Sequence, residues 1–354
     1  MIRRYAVWVV LVLLFIISFL SSRPDYIDGQ MLRVSGKVIS EPIRYSNSQR
    51  VVLHNLRFYL PAFPQVNYGD YIVIEGIVSD GELKKPVLIE LTETNLFLFK
   101  IRKSMVRFYE RALPEPHSSL VAGVVIGSKA SIPQDFWDAL RETGTAHVVV
   151  ASGMNVTLVA GFLMAILLLI MNRRRAIYFA LTGVWVYALV SGFDAPIIRA
   201  AIMGSLAFTA QAMGRMNVAW RALFLSALIM LIIWPNWISD LGFILSFVAT
   251  ASMMLFEARI RRLVYFIPGI FREGLSTSLA AQIGVAPILL VTFKQYSLLS
   301  PIVNSLVLWT IPPMTVIGMV AGLTGLVFFK AGQLILYLVY PLTSWFVWVV
   351  HLFS

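Results

Sequence analysis

Five residues with polar or very small side chains interrupt the apolar stretch between Gly144 and Gly161. They are His147, Ser152, Gly153, Asn155 and Thr157. Polar groups at membrane depth are costly, so they usually face the interior of a helix bundle, a partner or water. The Ser152-Gly153 pair should also loosen or break a helix, and irregular backbone at this depth is tolerated only inside protein or beside a cavity. The pattern predicts that something binds or passes at this stretch.

His147 and Ser152 also suggest hydrolysis, because a serine beside a base can act as a nucleophile. In a regular helix, however, a spacing of five residues places the two side chains on different faces. The chain has no cysteine, and its four histidines are scattered without a spacing typical of a zinc site. The sequence therefore predicts no catalytic residue, no metal site and no cofactor.

Further polar residues occur inside the apolar part of the chain. Asp194 and Arg199 flank a turn, where they are expected to pair with each other unless Arg199 meets an anionic substrate. Asp240 is expected to be the N-cap of a helix, stabilised by the helix dipole. Gln282 and Asn304 lie in the middle of apolar stretches, where hydrogen bonds between helices are the simplest interpretation.

The composition is that of an integral membrane protein. Of the 354 residues, 58% are hydrophobic and 13% are charged, and the mean hydropathy is +0.79. A soluble domain has about 25% charged residues. The formal net charge of +11 first suggests cytoplasmic loops rich in Lys and Arg, and second an anionic partner.

About nine membrane spans are predicted from apolar runs that can cross a bilayer core of about 30 Å. The first is an uncleaved helix from Tyr5 to Leu20. The others lie near 146–171, 176–193, 196–213, 219–234, 238–256, 273–293, 301–329 and 332–353. Four prolines are expected to interrupt these spans: Pro287, Pro301, Pro312 and Pro313.

The placement of basic residues predicts the orientation of the spans. If Arg3 and Arg4 are cytoplasmic, alternation of the spans puts most basic residues of the short loops on the same side. These are Arg173, Arg174, Arg175, Arg215, Arg221, Arg259, Arg261, Arg262 and Lys330, with only Lys294 in the short external loops. The region between the first two spans and the C-terminus at Ser354 are then external.

A strand-rich region follows the first span. Four runs alternate partly between apolar and polar residues: Met31 to Ser40, Arg50 to Leu60, Tyr71 to Ser79 and Val87 to Thr94. Turn signals such as Tyr68-Gly69-Asp70 and Asp80-Gly81 separate them. The pattern predicts a small OB-like β-barrel. The expected domains are residues 1–22 (first span), 23–95 (barrel), 96–143 (linking helices) and 144–354 (helical channel domain).

Two basic surfaces could contact nucleic acid. In the barrel region, eight Lys and Arg face nine Asp and Glu between Arg23 and Glu93, so only Arg50 and Arg57 with Phe58 and Tyr59 form a local candidate. Ordinary solvated strand residues are the alternative. Leu96 to Leu113 predicts a basic amphipathic helix in the membrane interface. Its candidate residues are Lys100, Arg102, Lys103, Arg107 and Arg111.

Six segments resemble, in the same order, motifs of the ComEC family of competence proteins. They are Gly127-Ser128 with Ile132-Pro133; Gly144, His147, Ser152, Gly153 and Val156; Ala195, Pro196, Arg199, Ala200, Ala201 and Met203; Asp240–Phe243 with Leu245–Phe247; Leu279–Gln282 with Pro287; and Ser297–Leu299 with Pro301 and Asn304. Each motif is weak alone, whereas their common order is specific.

Two departures from the family pattern are visible. Asn155 stands where the family usually has His, which argues against protonation there, and Ile244 stands where it usually has Gln. The chain ends at Ser354 without the H-x-H-x-D-H ligand set of the metallo-β-lactamase-like domain that many members carry. The resemblance is therefore to a form that lacks this domain and its proposed nuclease reaction.

The resemblance implies a channel component that moves single-stranded DNA inward across the bacterial cytoplasmic membrane. Its implied partners are single-stranded DNA, membrane lipids, a separate nuclease, a DNA receptor, a cytoplasmic helicase and further copies of the chain. The expected translocation pathway comprises His147, Ser152, Gly153, Asn155, Asp194, Arg199, Asp240, Gln282 and Asn304. The alternatives are a transporter of a small-molecule or lipid-linked substrate on the same scaffold, and a scaffold for a separate nuclease.

Overall fold

The computed structural model describes most of the chain. The described residues are 13–20, 29–38, 40–44, 47–53, 56–79, 82–129, 132–150, 152–212, 219–293 and 297–354. Some residues used in the predictions lie outside these ranges: Arg3, Arg4, Asp80, Gly81, Arg215 and Lys294. Of the predicted first span, residues 13–20 are described, and they are helical.

The strand-rich region forms a six-stranded sheet. Its strands are β1 (Met31–Lys37), β2 (Ile43–Arg44), β3 (Ser48–Leu53), β4 (Leu56–Pro61), β5 (Tyr71–Ser79) and β6 (Glu82–Thr92), in the order β1-β5-β6-β4-β3-β2. One predicted strand, Arg50 to Leu60, is in fact two, because β3 and β4 pair antiparallel with Leu53 opposite Leu56. Alternation in β4 buries Leu56, Phe58 and Leu60 and exposes the residues between them.

The sheet is open, so the predicted OB-like barrel is not confirmed. A barrel requires hydrogen bonds between its first and last strands. Here β1 and β2 are the two edge strands, and no pairing joins them among the described residues. The sheet still has its own apolar core, which includes Val51, Ile72 and Ile74.

The rest of the described chain is almost entirely helical. The helices are α1 (Phe97–Ala112), α2 (His117–Ile126), α3 (Gln134–Glu142), α4 (Ala146–Val149), α5 (Gly153–Ile170), α6 (Arg173–Val190), α7 (Ala195–Ala212), α8 (Ala219–Ile233), α9 (Leu241–Leu263), α10 (Gly269–Phe293), α11 (Ser300–Val307), α12 (Ile311–Val327), α13 (Phe329–Tyr337) and α14 (Tyr340–Phe353). Short 3-10 turns precede α9 and α12. Pro287 lies inside α10, which continues through it, so the interruption expected there is wrong.

Four apolar stretches are long enough to cross a bilayer. They are Ala146–Ile170, Leu241–Leu263, Gly269–Thr292 and Ser300–Val327. The pair α13 and α14, bent by 51°, makes a fifth if it forms one span. By length, α8 with its 15 residues falls short of the roughly 20 that a span needs, and α6 begins with three arginines. The described helices thus include four or five candidate membrane spans, which indicates a membrane protein, and the predicted nine spans are not confirmed.

The apolar face of α1 packs on protein, and the expected position of this helix in the membrane interface stays a prediction. Met105, Phe108 and Tyr109 are buried. The Tyr109 hydroxyl donates a 2.9 Å hydrogen bond to the carbonyl of Gly318 in α12. A Cβ atom added at Gly322 would overlap the Tyr109 ring. Because Gly322 and Gly325 have no side chain, the aromatic face of α1 lies directly against α12 at these positions.

Candidate functional site: a junction of helix ends

Five helix ends meet in the part of the structure that contains the Ser152-Gly153 pair. They are the ends of α2, α4 and α6 and the starts of α5 and α7. A Cβ atom added at Gly123 would lie 2.5 Å from the carbonyl oxygen of Val149, and one at Gly153 would lie 3.3 Å from Cβ of Ala200. We call this region the helix-end junction and define it as the described residues 123–129, 149–150, 152–155 and 187–199. It carries the polar groups described next.

The predicted helix break is confirmed. Helix α4 ends at Val149 and α5 begins at Gly153. Val150 and Ser152 have extended backbone, with ψ of 138° and 173°. A Cβ atom added at Gly153 would lie 3.1 Å from Nη2 of Arg199. The glycine therefore allows the guanidinium of Arg199 to approach the first turn of α5.

Three successive carbonyls at the end of α2 accept side-chain hydrogen bonds from three other helices. Asn155 Nδ2 donates to Val124 at 2.6 Å, and the Tyr187 hydroxyl donates to Val125 at 3.0 Å. Arg102 Nη1 donates to Ile126. The last carbonyls of a helix have no partner within the helix and carry its negative dipole end, so these donors stabilise it. Nothing in the sequence singles out Tyr187, an aromatic residue in an apolar helix.

Asn155 was expected to line a pathway, and the structure gives it a structural contact. It is fully buried, with 0% exposure, and its Nδ2 is bound to α2. Its Oδ1 has no hydrogen-bond partner among the described residues. A role of this side chain in translocation stays a prediction.

Arg102 of α1 contacts this junction and is buried, so the prediction that it lies on a DNA-contacting surface is wrong. Its side chain is 5% exposed and forms a 3.0 Å ion pair with Glu41, which is 12% exposed. Nη1 of Arg102 also donates to the carbonyl of Val190 at the end of α6. The guanidinium lies 5.1 Å from the centre of the Tyr68 ring. One arginine thus binds the ends of two helices and a carboxylate of the sheet region.

Glu41 completes this contact between the sheet region and the helices. Its carboxylate accepts hydrogen bonds from the Ser128 hydroxyl and the Lys129 amide, each at 2.8 Å. The Tyr68 hydroxyl donates to the carbonyl of Leu189 at 3.1 Å. Burial raises the pKa of Tyr68 to about 12, so this hydroxyl remains protonated and available to donate. In the sequence, Glu41 stands before Pro42 in a turn-like stretch, and nothing there indicates this contact.

The prediction of an ion pair between Asp194 and Arg199 is wrong. Asp194 pairs instead with Lys129, at 3.3 Å, and these side chains are 36% and 26% exposed. The carbonyl of Asp194 accepts the first hydrogen bonds of α7, from the amides of Ile197 and Ile198. Its carboxylate therefore faces the end of α2, away from the guanidinium on the next turn.

Arg199 is held by neutral groups. Its Nε donates a 2.8 Å hydrogen bond to the Ser246 hydroxyl, and its Nη1 donates to the Thr250 hydroxyl, both on α9. The guanidinium also lies 5.9 Å from the centre of the Phe247 ring. No ion pair to Arg199 within 4.0 Å occurs in the described parts of the chain. Its positive charge is therefore not neutralised within the described protein.

The remaining pathway candidates lie outside the junction. Asp240 caps α9 by accepting a 2.8 Å hydrogen bond from the Phe243 amide, which confirms the N-cap prediction. Asn304 Nδ2 binds the hydroxyls of Ser278 and Ser300, which confirms hydrogen bonding between helices. Gln282 is partly buried on α10. The structure thus brings only some of the predicted residues together.

The two residues considered for hydrolysis show no catalytic contact. His147 is exposed on α4, and no hydrogen bond joins it to Ser152 in the structure. Among the described residues, no group of three His, Asp or Glu side chains could hold a metal ion.

On the sheet, one of the four residues predicted to contact DNA, Phe58, is buried and is not part of the surface. Arg50 lies opposite Tyr59 in the pairing of β3 with β4, and Arg57 and Tyr59 are exposed. Phe58 is 2% exposed and packs in the core, so it cannot stack on a base. On α1, the exposed basic residues are Lys100, Arg107 and Arg111, while Lys103 lies 3.8 Å from Glu93.

Comparison with known proteins places these helices in a sequence family. Residues 124–354, more than half of the chain, match a family model described as "Competence protein". The chain is 26% identical to ComE operon protein 3 of Bacillus subtilis (strain 168) over 224 residues, which cover 61% of this chain and 28% of that protein. It is 27% identical to competence protein ComA of Neisseria gonorrhoeae over 223 residues, which cover 57% and 30%.

A third relative is the uncharacterized protein YcaI of Escherichia coli (strain K12). It is 25% identical over 242 residues, which cover 63% of this chain and 31% of that protein. The chain spans less than a third of the length of each of these three relatives. No solved structure matches the chain.

Proposed function

Because the chain belongs to the competence protein family, we propose that it moves single-stranded DNA inward across the cytoplasmic membrane during natural transformation. The observation that carries the proposal is Arg199, a cation beside a broken helix that has no carboxylate partner among the described residues. An unneutralised charge at membrane depth is costly, and its usual role is in a substrate pathway. The phosphates of a nucleic-acid strand supply the matching negative charge.

The proposed path passes the break at Ser152-Gly153 and the guanidinium of Arg199. His147, Gln282 and Asn304 are further proposed lining residues. Contacts to the phosphate backbone carry no sequence information, so uptake through this path should be insensitive to DNA sequence. The exposed residues Arg57 and Tyr59 and the partly buried Arg50 of the sheet are proposed to receive the strand, together with the exposed Lys100, Arg107 and Arg111 of α1.

The proposed topology has nine spans, with the N-terminus in the cytoplasm and the sheet and C-terminus outside. The asymmetry of Lys and Arg between the loops supports it. Under this topology the strand meets the sheet before it reaches Arg199. Labelling of single cysteines from either side of the membrane would test it, and because the chain has no natural cysteine each introduced residue is unique.

A transporter of a small-molecule or lipid-linked substrate is the alternative function. It predicts a closed pocket shared by Asn155, Asp194 and Arg199. In the structure these three side chains bind separate partners: the end of α2, Lys129 and α9, respectively. No observation on the described residues therefore favours this alternative.

The proposal includes several partners. They are membrane lipids, an external DNA receptor, a cytoplasmic helicase, a separately encoded nuclease and further copies of the chain. Co-purification from a competent host in crosslinked membranes would test each of them. A chain that only scaffolds a nuclease would retain this association while Arg199→Ala left uptake unchanged.

The decisive experiment deletes the gene in a naturally competent host and restores it as wild type or as Arg199→Ala. We expect the deletion to abolish entry of labelled external DNA and the wild type to restore it. Arg199→Ala should reach the membrane in normal amounts and reduce uptake by at least about tenfold, the scale of one lost charge-assisted contact. Normal uptake by the deletion strain would refute the DNA role.

A further inference from the structure

Two hydroxyl groups on one face of α9 hold the guanidinium of Arg199. Ser246 and Thr250 are four residues apart, so they lie one above the other on the helix surface. The Ser246 hydroxyl accepts from Nε at 2.8 Å, and the Thr250 hydroxyl accepts from Nη1. Thr250 in turn donates to the carbonyl of Ser246 at 2.9 Å, which fixes its hydroxyl. Nη1 also lies 3.9 Å from the sulfur of Met203.

The third nitrogen of the guanidinium points elsewhere. A Cβ atom added at Gly153 would lie 3.1 Å from Nη2, so Nη2 faces the first turn of α5. Nη2 donates no hydrogen bond to any residue that the structure describes. A guanidinium carries five N–H groups in a rigid plane, so fixing Nε and Nη1 also fixes the direction of Nη2.

We propose that Ser246 and Thr250 are positioning residues, which orient Arg199 so that Nη2 faces an anionic strand at the helix break. This inference rests on the proposed function. A carboxylate in their place would orient the guanidinium equally well, but it would also neutralise the charge that must attract a phosphate. Neutral hydroxyls orient the guanidinium and leave its charge available. Under the proposed function, the anion that this charge attracts is the phosphodiester backbone of the strand.

A purely structural role for the two hydroxyls is the competing explanation. Thr182 on α6 shows what such a role looks like, because its hydroxyl donates to the carbonyl of Tyr178 at 3.1 Å and its side chain is exposed. Thr250 makes the same bond within its helix and, in addition, accepts from Arg199. Thr182→Val is therefore a matched control for Thr250→Val.

A double-mutant cycle in a competent host separates these explanations. Ser246→Ala with Thr250→Val is introduced beside Arg199 and beside Arg199→Ala, and entry of labelled DNA is measured per amount of protein in the membrane. With Arg199 present, we expect the double substitution to lower uptake by about three- to tenfold, which is the scale of the net contribution of a typical hydrogen bond. In the Arg199→Ala background it should cause no further loss. A protein with Thr250→Ser as its only change keeps the hydroxyl and should take up DNA normally. Thr182→Val alone should also leave uptake unchanged.

Each other outcome has a definite meaning. If Arg199→Ala lowers uptake but the double substitution does not, the positioning role is wrong and the proposed function stands. If the double substitution causes the same loss with and without Arg199, its effect is structural and the inference fails. If Arg199→Ala itself takes up DNA normally, the proposed path fails and the inference fails with it.

Discussion

Arg102 and Arg199 both approach the helix-end junction, but their guanidinium groups have different partners. Arg102 is 4% exposed and is bound to Glu41 and to the last carbonyls of α2 and α6. Arg199 is partly buried and binds two neutral hydroxyls of α9. The charge of Arg102 is thus neutralised by Glu41, whereas no carboxylate among the described residues neutralises the charge of Arg199. These partners give Arg102 a structural role, and they are the reason that we propose a functional role for Arg199.

The largest expected effect is the loss of stability when Arg102 is replaced by Ala. This leaves Glu41, whose side chain is only 12% exposed, without its charged partner, and breaking a buried ion pair costs up to about 3–5 kcal/mol. The midpoint of thermal unfolding of the purified protein in detergent should fall markedly, and the amount of protein in the membrane should fall with it. Arg107→Ala, an exposed arginine on the same helix, is the control and should change neither. Normal stability of the Arg102 variant would abolish the contrast between the two arginines.

The ion pair between Arg102 and Glu41 allows a second test of the structural role of Arg102. Replacing Arg102 by Met together with Glu41 by Gln removes both charges, and such a change is often tolerated better than loss of one partner. We expect the double variant to unfold at a higher temperature than Arg102→Met alone. A double variant no more stable than the single one would show that the bonds to the α2 and α6 carbonyls, and not the ion pair, carry the stability.

Gly153→Leu should have a smaller effect on stability and a clear effect on uptake. The added side chain must displace the guanidinium of Arg199, and overpacking costs about 1–3 kcal/mol. Gly161→Leu on the same helix is the matched control, because an added Cβ atom there meets nothing within 4 Å. DNA uptake per amount of membrane protein is the measurement. Equal uptake by both variants would show that the approach of Arg199 to the break has no role.

Asn155→Ala tests whether this residue belongs to the structural or the functional region. It removes the Nδ2 donor to Val124, and we expect a loss of about 1–2 kcal/mol in stability. Uptake should fall only as far as the amount of protein does. Thr157→Ala, an exposed neighbour, serves for comparison. A stable Asn155→Ala protein with impaired uptake would instead place Asn155 on the pathway.

The smallest effect is expected for Lys129→Ala. Its ion pair with Asp194 is partly exposed, and pairs of this kind contribute about 0.2–1 kcal/mol. The unfolding midpoint should therefore shift only slightly, and the shift should shrink further at high salt. A loss as large as that of Arg102→Ala would mean that the backbone contact of Lys129 with Glu41 depends on its side chain.

Local rules account for the predictions that the structure confirms. The break at Ser152-Gly153, the cap of α9 by Asp240 and the hydrogen bonds of Asn304 depend on residues close in sequence or on the cost of polar groups in apolar helices. The family relation also followed from short motifs in order. The predicted count of nine spans is not confirmed, since an apolar helix such as α8, with 15 residues, is shorter than the roughly 20 residues that a span needs.

The sequence by itself determined the class of protein, the place where a helix breaks and the residues that could carry charge there. Only the tertiary structure decided which of these charges are neutralised by an ion pair and which are not. Glu41 and Arg102 are 61 residues apart, and Arg199 and Ser246 are 47 apart. Whether such groups come into contact depends on how the sheet and the helices pack. No pattern of neighbouring residues determines which groups so far apart in the sequence will meet. For the same reason Asp194, five residues from Arg199, pairs with a lysine at the end of another helix.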